Sequence, residues 1–71
     1  MNPGDLVVIV NSNKSLDGAA GLDLETYFAH WVSNGTIGMY CDEPGVSHRK
    51  FRVLIDGEVR LFDPTDARPF R

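Results

Sequence analysis

A single cysteine, Cys41, stands in a chain of 71 residues. One thiol cannot form an internal disulfide, and it excludes every zinc site that needs two or more cysteines from one chain. Such usage fits a reducing compartment. A chain this short is expected to be one domain, residues 1–71, at the small end for folding without staples, where a partner or self-association would help. Long apolar runs are missing as well. The longest, Leu6 to Val10, is strand-sized and far from the roughly 20 residues of a membrane span, so no membrane partner is expected. The first residues lack the basic segment and apolar core of an export signal. No serine sits in a nucleophile elbow, and no glycine-rich phosphate loop is present.

Positive charge is scarce over most of the length. The net charge is −3. Up to His48 the chain carries Asp5, Asp17, Asp23, Glu25, Asp42 and Glu43 against Lys14 alone. From Arg49 onward the balance reverses, with Arg49, Lys50, Arg52, Arg60, Arg68 and Arg71 against Asp56, Glu58, Asp63 and Asp66. A general nucleic-acid binder shows a stronger basic excess, because phosphate neutralisation supplies its affinity. The alternative is a local face: Arg49, Lys50, Arg52 and Arg60 with a stacking aromatic would make a small nucleic-acid-binding surface.

What the chain does have is β-structure with its turns written in. Residues 50–63 read as a hairpin around Asp56-Gly57, a dipeptide suited to a two-residue turn with positive φ. Phe51, Val53 and Ile55 then share one face, and Arg52, Leu54 and Asp56 the other. Leu6 to Val10 reads as the first strand, covered on both faces because it is apolar throughout. Residues 11–23 are loop by composition. Residues 24–33 fit either a helix capped by Asp23 or a strand over Tyr27–Val32, and the aromatic and β-branched content favours the strand. Ser33-Asn34-Gly35 is a turn, and 36–42 a further strand with Ile37, Met39 and Cys41 inward and Gly38 at a bend. Residues 43–48 form a second loop. Asp63 to Ala67 reads as one helical turn with Asp63 as cap and Pro64 in first position. Arg68 to Arg71 closes the chain as a short strand or tail.

The order of these segments resembles the Src-homology-3-like small barrels. Asn2-Pro3-Gly4-Asp5-Leu6-Val7, Ser33 to Tyr40 around Gly35-Thr36-Ile37-Gly38, and Phe51 to Glu58 around Arg52-Val53-Leu54-Ile55-Asp56-Gly57 are similar to short phage and bacterial proteins with a "PGDLV…GTIG…RVLxDG" pattern. The resemblance implies an all-β fold, a small five-stranded barrel with a long loop after the first strand and a one-turn 3-10 helix before the last. It also implies a phage-encoded accessory or virion-associated protein, in a virion or host cytoplasm, without catalytic residues. A KOW-type basic glycine-centred motif is not visible.

Reactive constellations are weak. His30, His48 and Cys41 lack the spacing of a zinc site, and Arg49 and Lys50 would repel a cation beside His48; neither metal nor cofactor is expected. Cys41 on an apolar face would be a structural thiol. The carboxylate pairs Asp42/Glu43, Asp56/Glu58 and Asp63/Asp66 lie in turns or at strand ends, where water keeps them ordinary. The seven aromatic residues are more than a domain this small can bury. Phe51, with Phe28 or Trp31, should be core. By alternation Tyr40 and Phe62 should be exposed, forming with Leu54 and Pro64 an apolar patch rimmed by Arg52 and Arg60, unless the 11–25 loop folds over it. The expectation is a non-catalytic module that binds a protein partner, a virion component or a host protein, or associates with itself, through that face.

Overall fold

The computed structural model describes residues 2–13, 15–42 and 50–70. Among these, seven strands form one antiparallel sheet: β1 (Leu6–Ile9), β2 (Gly18–Asp23), β3 (Ala29–Ser33), β4 (Thr36–Asp42), β5 (Phe51–Ile55), β6 (Glu58–Phe62) and β7 (Ala67–Pro69). Their spatial order is β3-β2-β6-β5-β4-β1-β7. The all-β class is as expected. The strand count and closure are not: seven strands in an open sheet stand where five in a barrel were anticipated. The loop expected over 43–48, with His48 and Arg49, lies outside the described residues.

The local turn chemistry holds. Asp56 and Gly57 both take positive φ, 51° and 79°, which matches the twist of the flanking strands. Ile55 faces Glu58 across that turn. Gly35, at φ 91°, joins β3 to β4. The Pro64–Asp66 turn is 3-10 and follows Asp63, but Asp63 makes no side-chain cap. Its backbone oxygen accepts the Asp66 amide at 2.9 Å, and its carboxylate holds the Lys50 ammonium at 2.9 Å.

Every strand contributes to one core. Val7 and Ile9 from β1, Ala19, Val32, Tyr40, Val53, Phe62 and Ala67 pack as a single cluster, with Phe51 and Ile55 against it. The sheet therefore curls around one apolar face; on the other, Leu6, Ile37 and Met39 are open to solvent while Leu61, opposite Arg52, is buried. That arrangement corrects three expectations. β1 is buried on one face, at Val7 and Ile9, while Leu6 is exposed. Residues 18–23 are a strand rather than loop, because Gly21 passes under the Phe62 ring, where a Cβ would lie 2.6 Å from Cζ. The phase of β4 is inverted: Gly38 and Tyr40 face the core, and Ile37 and Met39 face out. Val53 and Ile55 occupy the space a Cβ on Gly38 would need. Cys41 falls at an irregularity between the Tyr40↔Val53 and Asp42↔Arg52 pairs and is half-buried.

The aromatic residues are sorted accordingly. Tyr40 is 7% exposed and Phe62 fully buried, so neither is a surface anchor. Tyr40 meets Phe51 edge-to-face at 5.1 Å. Phe28 and Trp31, expected to include a core ring, are 71% and 55% exposed. Residues 24–28 are turn and coil rather than helix, and the third strand begins at Ala29 rather than Tyr27.

Candidate partner-binding edge and groove

The six residues expected to share one surface do not converge. Arg52 and Leu54 lie on the outer face of β5, Arg60 and Phe62 on the core side of β6, Tyr40 in the core, and Pro64 in the 3-10 turn. Leu54 joins an outer row in which Leu6 faces Met39, Met39 faces Leu54, and Leu54 faces Val59 across four neighbouring strands. The cations are neutralised locally: Lys50 by Asp63, Arg52 by Asp42 at 3.3 Å, and Arg60 by Glu58.

Instead the structure gathers three exposed rings, Tyr27, Phe28 and Trp31, around β3, while Phe70 is exposed beyond β7 at the opposite edge. Asp23 organises the loop before it. Its Oδ1 accepts the Glu25 amide at 2.8 Å and the Thr26 amide at 3.0 Å. These bonds, the Thr26 amide foremost and the Glu25 amide next, hold the Asp23 carboxyl below its ordinary value, because they favour the ionised form. The chain then turns through Tyr27 in the left-handed region, φ 58°, and presents Tyr27 and Phe28 to solvent. Trp31 lies over Gly18, where a Cβ would come within 2.8 Å of its Nε1. That nitrogen donates to Asp17 Oδ1 at 3.0 Å. The indole is thus fixed in place while remaining half exposed.

Among the described residues β3 is also a sheet edge, bonded to β2 alone. The Asp23 amide donates to the Phe28 carbonyl at one end of the hairpin and the Asn34 amide to the Asp17 carbonyl at the other. In an antiparallel ladder bonded pairs alternate with non-bonded ones. With the observed register, His30 and Val32 bond to β2, and the peptide groups of Ala29, Trp31 and Ser33 point away from it. The Ser33 carbonyl takes the Thr36 hydroxyl at 2.8 Å. Ala29 and Trp31 supply the open edge. No lysine or proline interrupts β3, whereas β7, at the opposite edge, is three residues long and carries Arg68 and Pro69. Short, charged or proline-bearing edges resist strand addition. Only β7 is protected in this way.

A groove of 390 Å³ runs beside β3, lined by Trp31, Val32 and Ser33 on one side and by Ile55, Asp56, Glu58 and Arg60 on the other. A second of 370 Å³, lined by Asp23, Leu24, Glu25, Glu58 and Val59, shares Glu58 with it. Negative charge prevails in both grooves: Asp56 and Glu58 against Arg60 in the first, and Asp23, Glu25 and Glu58 with no cation among the described residues of the second. Sequence reasoning recognised Arg60 but not this edge. The available signal was the surplus of rings in Tyr27-Phe28 and Trp31 opposite the small Gly18-Ala19-Ala20-Gly21 run.

Among the described residues no group of three or more His, Cys, Asp or Glu could hold a metal ion, and no helix is long and apolar enough to cross a membrane. No protein-family model, curated protein or solved structure matches the chain.

Proposed function

We propose that the protein is a non-catalytic interaction module that captures an extended segment of a partner protein along the free edge of β3. The observation that carries this reading is the unprotected edge itself, flanked by the exposed rings of Tyr27, Phe28 and Trp31. Main-chain hydrogen bonds to such an edge supply affinity, and flanking side chains supply selectivity. Tyrosine and tryptophan are the residue types on which binding energy concentrates. Tyr27 adds support, since a bulky residue in the left-handed region is costly where glycine would serve, and strain of this kind gathers at working surfaces. The motif resemblance to phage proteins makes a virion or host-cell protein the natural source of the segment. Among the described residues Lys50, Arg52 and Arg60 are each paired with a carboxylate, which weighs against their use as a nucleic-acid face.

The test uses short blocked peptides whose backbone amides are N-methylated on one strand edge or on the other. Strand addition requires that methylation of the edge facing β3 abolish binding while methylation of the opposite edge spare it. Equal binding by both peptides would exclude this mode.

A further inference from the structure

We infer that the segment captured at β3 is cationic, carrying lysine or arginine at alternate positions; this rests on the strand-addition reading above. A strand paired with the Ala29 and Trp31 peptide groups occupies the groove between β3 and the tip of the β5–β6 hairpin. Its alternate side chains therefore meet the opposite wall, where Asp56 and Glu58 stand against Arg60 alone. Arg60 is already engaged by Glu58, and its Nε is buried without a hydrogen-bond partner, so it offers little to an incoming anion. A neighbouring groove that shares Glu58 adds Glu25 and Asp23 to the acidic surface. The side chains of Asp56 and Glu25 have no hydrogen-bond or ion-pair partner among the described residues. An alternating cation would meet a carboxylate on each side of the hairpin tip.

The same charges argue against a second copy of this chain as the occupant. Pairing β3 with β3 about a two-fold axis would bring two acidic walls together, and like charges across an interface oppose association. A cationic strand instead gains steering and selectivity from the field.

The experiment titrates the full chain with three blocked peptides that alternate valine with lysine, glutamate or threonine. Binding is followed by the emission of Trp31, the single tryptophan, which lies on the groove. The lysine peptide should bind roughly tenfold tighter than the glutamate peptide, with a preference that shrinks as salt is raised. Asp56→Asn combined with Glu25→Gln should reduce that preference to about twofold. Asparagine suits the positive φ at position 56, and thermal melting checks that the variant folds. Equal binding of all three peptides would leave the β3 edge in use and overturn the cationic partner. Binding of none would overturn both readings. A peptide-insensitive dimer in light scattering would show the edge to be occupied by a second copy, which also overturns the inference.

Discussion

Phe62 and Gly21 form the contact that decides whether β2 belongs to the core, and a double-mutant cycle tests it. Phe62 is fully buried, and truncating a buried phenylalanine costs about 3–5 kcal/mol. A domain of this length has a total stability of about 4–11 kcal/mol at roughly 0.05–0.15 kcal/mol per residue. Phe62→Ala should therefore lower Tm by more than about 12 °C, using about 4–8 °C per kcal/mol for domains of this size. Gly21→Ala places a methyl 2.6 Å from Phe62 Cζ, closer than atoms pack, and overpacking of this kind costs about 1–3 kcal/mol. Combined with Phe62→Ala, the same methyl enters the space the ring has left. The double variant should then be no less stable than Phe62→Ala alone, giving a coupling energy of about 1–3 kcal/mol. Urea unfolding followed by far-UV circular dichroism measures all four corners. Additive costs would mean that β2 does not pack beneath this ring. Phe28→Ala serves as the control: at 71% exposure it should change stability by no more than about 0.5 kcal/mol.

Three further outcomes follow from particular residues. Tyr27→Gly should raise stability by about 0.5–1 kcal/mol, the left-handed penalty relieved less the backbone entropy glycine adds, while weakening peptide capture at β3; a loss of stability would mean that the ring contributes more packing than strain. Gly57→Ala, at φ 79° with open space around it, should cost about 1–2 kcal/mol from backbone conformation alone, read as a shifted urea midpoint with unchanged slope. Asp23 should titrate below the ordinary aspartate value by NMR. Because its folded pKa is depressed by the Thr26 and Glu25 amides, its contribution is present above the unfolded value of about 3.9 and is lost as pH falls through the lower folded value. Asp23→Asn should remove that part of the acid sensitivity, and an unchanged acid limb would contradict the assignment.

The elements set by local chemistry were legible in the residues. Asp56-Gly57, Asn34-Gly35 and Asp63-Pro64 announce their turns because backbone preference there depends on two or three neighbours. Strand β2 was not legible, since Gly18-Ala19-Ala20-Gly21 has poor strand propensity and is recruited by rings distant in sequence: Phe62 over Gly21 and Trp31 over Gly18. The inverted phase of β4 has the same origin. Ile37 and Met39 are the more apolar set, yet the room beside Val53 and Ile55 admits only a glycine at position 38. Tyr40 turns inward with that phase, and Phe62 is buried over Gly21, so the expected surface is divided. That β3 is an unguarded edge follows from strand order, which no segment states by itself. The aromatic surplus in 27–31 was visible, but its placement was not.

Amide hydrogen exchange of the chain saturated with the lysine-alternating peptide bears most directly on the role of β3. The Ala29 and Trp31 amides, which point away from β2, should become protected on binding, while those of His30 and Val32, already bonded to β2, change little. Unaltered exchange at Ala29 and Trp31, with peptide-induced shifts gathered instead on Leu6, Met39 and Leu54, would place the partner on the outer sheet face and contradict capture at the edge.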